Sequence, residues 1–152
     1  MLASREVWAC ISKSDRAGDI DQVKAIGWAL DPQYRCVDLA DEFRRLEATR
    51  GRPLGEDAPL PPRAIVGIGR KRIRMATAIR AWSGGATRLI HIGRHRGCLD
   101  QLDCLVTTPA FPASPSPKIL TLALAPSDRI RRLVFEPASA HPRSAAADFR
   151  AI

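Results

Sequence analysis

An α/β fold with a mostly parallel sheet is predicted by three features of this 152-residue sequence. Short apolar runs alternate with stretches of helical period along most of the chain, the pattern of successive β-α-β units. The runs Ala64-Ile65-Val66-Gly67-Ile68 and Arg88-Leu89-Ile90-His91-Ile92 are apolar almost throughout rather than alternating, as strands covered on both faces must be. Both then leave into a glycine, Gly69 and Gly93, the residue that lets a strand turn sharply into its next element.

The elements follow in order. Val7 to Ser12 reads as a first strand, leading through a polar loop that ends at Gly18 into a helix carrying Gln22, Val23, Ile26, Gly27 and Leu30 at helical spacing. Pro32 stops that helix, since proline disfavours helical backbone in the residue before it. Arg35 to Leu39 reads as a second strand, and Asp41 as the cap of a helix carrying Phe43 and Leu46. Residues 47–63, rich in proline and glycine, read as a long surface loop. The third strand is 64–68, and the helix after it carries Ile73, Ala76, Ile79 and Trp82 until Ser83-Gly84-Gly85 ends it. Arg88 to Ile92 is the fourth strand, Asp103 to Thr107 the fifth and Ile119 to Leu124 the sixth. Asp100 and Asp103, in the turn before the fifth strand, read as turn caps. Right-handed crossovers between such strands put helices on both faces. The result is a Rossmann-like three-layer sandwich over residues 1–135, and residues 136–152, which show no period, read as a tail or an interrupted connection.

Apolar residues make up 45% of the chain, enough for one buried core but crowded for two complete domains. Lys and Arg number 24 against 16 Asp and Glu, giving a formal charge of +8 and a pI near 10.2. Such a balance favours anionic partners: phosphate groups, nucleic acid, or an acidic membrane surface touched peripherally. Specific nucleic-acid binding is not expected, because aromatics are only 5% of the chain and no basic patch is interleaved with stacking residues. The four cysteines form no C-x-x-C pair and only three histidines could join them, so neither a metal site nor a cofactor is expected. Cys10 and Cys36 lie in apolar runs and read as buried thiols of a reducing compartment. The first apolar run is too short for a signal-peptide core, and no run reaches membrane-spanning length. A soluble, cytoplasmic domain is the expectation.

The motif I-G-R-x-R is written twice, at 68–72 and at 92–96. If the third and fourth strands are parallel neighbours, both copies leave from the carboxyl edge of the sheet, where open α/β sheets bind ligands. The loop at 13–18 leaves from the same edge. Arg16, Arg70, Lys71, Arg72, Arg94, His95 and Arg96 would then surround one crevice with donors suited to phosphate or carboxylate. Gly67-x-Gly69 begins a dinucleotide fingerprint, but Arg72 stands where its last glycine belongs, which disfavours an ordinary dinucleotide site. His91, inside a strand, reads as a core or edge histidine.

An ordered series of motifs also carries a family resemblance. G-x-G-R at 67–70, S-G-G-x-T-R-L at 83–89, G-R-x-R at 93–96, L-D-x-x-D at 99–103 and V-T-x-P at 106–109, with RAGDIDQ at 16–22 and KILTLALAPSDRI at 118–130, resemble the amino-terminal half of the mitochondrial fission ELM family. The resemblance covers most of residues 7–133. Bacterial members of that family look like glycosyltransferases with two Rossmann-like domains, the GT-B arrangement. Arg16, Ala17, Gly18 and Gln22 match the family's first loop, and Ser14-Asp15 depart from it where an Asp-Gly pair belongs.

What the resemblance implies is one half of a GT-B-like architecture that binds an acceptor or phosphate at its basic carboxyl edge. Arg16, Gly18, Gly67, Gly69, Arg70, Gly93, Arg94 and Arg96 are the candidate binding residues, and His95 and Asp15 the candidate bases. The implied partners are a nucleotide-sugar or phosphorylated acceptor and a second GT-B domain. The donor usually sits in that second half, so residues 1–152 are expected to complete no transferase cycle alone. The alternative implied by plant members is a non-catalytic interaction protein.

Overall fold

Residues 6–48, 60–94, 97–111, 113–123 and 125–127 are described by a computed structural model. The apolar runs form six strands: β1 (Val7–Cys10), β2 (Arg35–Val37), β3 (Ala64–Ile68), β4 (Arg88–Ile92), β5 (Cys104–Thr107) and β6 (Ile119–Thr121). They lie in one sheet in the order β2-β1-β3-β4-β5-β6, every neighbouring pair parallel. The described helices are α1 (Ala17–Leu30), α2 (Leu39–Ala48) and α3 (Arg70–Trp82), with one 3₁₀ turn at Leu99–Gln101 before β5.

The chain steps from β1 to β2 toward one edge of the sheet and from β2 through β3 to β4 toward the other. With right-handed crossovers, that reversal puts α1 on one face and α2 and α3 on the opposite one. The two cores agree. Trp8, Cys10, Ile65, Leu89 and Leu105 pack with Leu46 of α2 and Ile73 and Ile79 of α3. Val7, Ala9, Val66, Ile90 and Val106 share the other face with Val23 and Ile26 of α1. The fold is therefore α/β, Rossmann-like and three-layered.

Five readings of the sequence change. The second strand stops at Val37, its last partner of Cys10, and Asp38 caps α2 through a 2.9 Å hydrogen bond from the Ala40 amide to its Oδ1. Asp41 is simply an acid in the first turn. Cys36 is exposed: β2 is an edge strand, and α1 lies over β1 and β3 instead. Asp103 is more than a turn cap. Its carboxylate accepts from the Leu89 amide at 2.8 Å, from Arg80 at 3.0 Å and from Arg88 at 2.9 Å, joining α3 to the amino-terminal end of the β4–β5 pairing. The sixth strand is the short segment Ile119–Thr121. The remainder of the 47–63 loop from 49 to 59, Leu124 and the segment 136–152 lie outside the described residues.

Helix α1 approaches β1 closely because Gly27 has no side chain. A Cβ there would stand 3.0 Å from the Tyr34 ring and 3.1 Å from the Ala9 Cβ. Gly18, in the first turn, would meet nothing within 4 Å. The two glycines should therefore respond oppositely to the same substitution. Gly27→Ala is expected to destabilise by about 1–2 kcal/mol through overpacking, and Gly18→Ala to stabilise by about 0.4–1 kcal/mol by restricting the unfolded chain, both read from urea unfolding.

Candidate functional site

At the carboxyl edge, Ile68 of β3 pairs with Ile92 of β4, so the two I-G-R copies leave the sheet side by side. Gly69 has φ 91° and Gly93 φ 101°, backbone that an L side chain adopts only under strain. Gly69 starts α3 without a side-chain cap, and the first turn that follows contains no acid. It carries Arg70, Lys71 and Arg72 instead. Cations at a helix amino terminus oppose the macrodipole by roughly 0.3–1 kcal/mol each, so the side chains of this turn do not stabilise the helix start.

Between the two exits opens a crevice of about 630 Å³, within the range of small-molecule sites. Its walls include Gly69, Arg70 and Arg74 from the β3–α3 side, His91, Gly93 and Arg94 from β4 and its exit, and Asp19 of α1. A second crevice of about 390 Å³ lies on the other side of Gly69 and Arg70, against Ser12, Ser14, Asp15, Asp38, Lys71 and Arg72.

The strand order reverses between β1 and β3, which is where a doubly wound sheet ordinarily takes its ligand. Here Arg72 closes that point. Its Nη2 donates to both oxygens of Asp15, at 2.7 and 2.5 Å, and its Nη1 to the Ile68 carbonyl at 2.6 Å. Asp15 also accepts from the Ser12 amide at 2.7 Å. Both partners of the pair are only 14% exposed. Gly67 lies beneath Arg72, with the position of a Cβ 3.5 Å from its Cδ.

The site residues read from the sequence thus divide. Gly69, Arg70, Gly93 and Arg94 come together on the larger crevice. Asp15 and Arg72 line the smaller one as an ion pair, and both Asp15 oxygens accept from donors of the surrounding loops. Gly67 is covered by Arg72. Arg16 and Gly18 are exposed at the start of α1 and line neither crevice. His95 and Arg96 lie outside the described residues.

Other residues join that the motifs did not single out. Arg74 stands four residues after Arg70 on α3, a spacing that puts both on one helix face and was available to be read. Asp19 and Phe111 reach the crevice only through the tertiary fold. The Arg94 guanidinium carbon sits 4.6 Å from the centre of the Phe111 ring. His91, 5% exposed, also reaches the crevice wall.

The arginines separate by partner. Arg35, Arg44, Arg45, Arg63, Arg72, Arg80 and Arg88 each pair with a carboxylate. Among the described residues Arg16, Arg70, Arg74 and Arg94 have no such pair; Arg16 is exposed at the start of α1, and the other three line the larger crevice. Its donors are therefore uncommitted. Three of the thiols are held away from the reactive thiolate: burial pushes Cys104 up to about 11 and raises Cys10 and Cys98 as well.

Burial also pulls the His91 pKa from 6.5 down to about 4, opposed by a hydrogen bond with the Arg94 backbone and reinforced by the charge of Arg72. His91 is thus a neutral part of the wall at pH 7. Between pH 6.5 and about 4 the unfolded chain takes up a proton at this position that the folded chain refuses, so folding stability falls as pH drops through that window. His91→Gln should flatten the pH dependence of urea unfolding there, by up to about 3 kcal/mol across the window.

No family model, curated protein or solved structure matches the chain. What its own geometry establishes is a Rossmann-like α/β sheet with two in-register glycine exits at its carboxyl edge and, on the crevice between them, Arg70, Arg74 and Arg94, which have no carboxylate partner among the described residues.

Proposed function

We propose that the chain binds a phosphate-bearing ligand in the crevice between Gly69-Arg70 and Gly93-Arg94. We further propose that it acts in this way as the acceptor- or phosphate-binding half of a GT-B-like glycosyltransferase. The observation that carries the first part is the convergence of Arg70, Arg74 and Arg94, unpaired with carboxylates among the described residues, on a crevice beside the uncapped amino terminus of α3. Guanidinium forks match phosphate oxygens in pairs, and backbone amides at a helix start add donors at no side-chain cost. The second part is supported by the sequence resemblance at 67–70, 83–89, 93–96, 99–103 and 106–109.

In a sugar transfer from a nucleotide diphosphate, negative charge grows on the leaving phosphate, and fixed donors directed at it lower the barrier. Arg70 and Arg94 would supply those donors to a phosphate lying between the two glycine exits. Asp19 is a carboxylate on the same crevice, able to accept from ligand hydroxyls. Arg72 and Asp15, engaged with each other, would hold the loops rather than touch the ligand.

Comparison of Arg94→Ala with Arg44→Ala tests this reading. Arg44 sits on α2 with 73% of its side chain exposed, and its substitution removes the same charge outside the lining of either crevice. Calorimetry with ADP at two salt concentrations should show a loss of about 1.5–3 kcal/mol for Arg94→Ala, roughly ten- to a hundredfold in affinity. Arg44→Ala should change binding only through a weak attraction that salt abolishes. Equal losses that vanish together at high salt would reduce the site to general anion steering.

A further inference from the structure

Phe111 is 37% exposed, one of two large apolar side chains that reach the surface among the described residues. Its position is nonetheless fixed. Thr107, at the end of β5 and 2% exposed, donates its hydroxyl to the Phe111 carbonyl at 3.0 Å, and the Phe111 amide donates to the Thr108 carbonyl at 2.9 Å. The β4 exit is tied to the same strand, because the Gly93 amide donates to the Val106 carbonyl at 2.8 Å. The ring and the base of Arg94 are thus both anchored to β5. Across that short bridge the guanidinium carbon rests 4.6 Å from the ring centre.

We infer that Phe111 is a positioning residue of the phosphate site, holding Arg94 at the crevice before a ligand arrives. The inference rests on the function proposed above. An arginine free in solvent spreads over many rotamers, and a ligand that needs one of them must bear the ordering cost. A carboxylate could restrict the side chain, but it would occupy the N–H groups and neutralise the charge. The face of an aromatic ring attracts the cation through its quadrupole and leaves the positive charge for the ligand. That difference explains why the crevice carries an exposed phenylalanine beside an arginine without a carboxylate partner.

The test is a double-mutant cycle on the full chain, with ADP as the probe and calorimetry as the readout. Phe111→Leu keeps an apolar side chain but removes the quadrupole, and should weaken binding about two- to fivefold. Phe111→Trp should restore or exceed the original affinity. In an Arg94→Ala background, Phe111→Leu should cause no further loss, an outcome that a general structural role for the ring would not produce. Upfield ring-current shifts of the Arg94 side-chain protons, present before ADP is added and lost in Phe111→Leu, provide a second reading. Arg94→Ala weakening binding while Phe111→Leu binds like the parent would overturn the positioning role and leave the phosphate site standing. An equal loss from Phe111→Leu with and without Arg94 would also overturn it. Should Arg94→Ala itself bind ADP as the parent does, both the site and its positioning residue would fall.

Discussion

The ion pair between Arg72 and Asp15 fixes the geometry of the sheet's carboxyl edge. It joins the β1–α1 loop to the β3–α3 turn at the point where the strand order reverses, and it is largely shielded from water. Such pairs add little net stability, since desolvation offsets much of the attraction, but losing one partner leaves a charge buried and uncompensated. The arrangement is therefore held firmly in place. Arg72 stands where a dinucleotide fingerprint has its last glycine, and the larger of the two crevices lies one strand further along, between β3 and β4.

The repeat of I-G-R lies at that larger crevice. In a parallel pair with Ile68 beside Ile92, two identical exits place two glycines and two arginines side by side without any long-range coincidence. Away from the crevice, carboxylates pair with arginines: Asp103 with Arg80 and Arg88, Glu42 with Arg35 and Arg45, Asp31 with Arg63, whereas Asp19 lines the crevice without pairing with its arginines. The arginines of the crevice lack that compensation, and a bound anion would supply it. His91 adds no charge, because burial keeps it neutral.

Strands and helices were legible because their signals are local. VWAC and AIVGI carry burial on both faces in their composition, and Gly84 and Gly85, with φ of 62° and 87°, end α3 where the letters say it should end. The errors arose where a competing tertiary demand decided. Asp38 rather than Asp41 caps α2 because an edge strand with no partner beyond Val37 releases it. Cys36 is apolar in context yet faces a region that α1 does not cover. Among site residues, the pairs 69–70 and 93–94 were readable from the repeat, and Arg74 from its helical offset. Arg72 could not be separated from its neighbours in the same basic run, since only the fold shows that Asp15 claims it. Phe111 gave no local signal, for its role depends on β4 and β5 being neighbours.

The most direct measurement of the central claim is a titration of the isotopically labelled chain with inorganic pyrophosphate, followed by amide chemical shifts. A site at the β3–β4 exits predicts that Gly69, Arg70, Gly93 and Arg94 move together along one saturable curve while Ser12 and Asp15 stay in place. Perturbations centred on Ser12, Asp15 and the start of α1, or spread evenly over the basic surface, would contradict it.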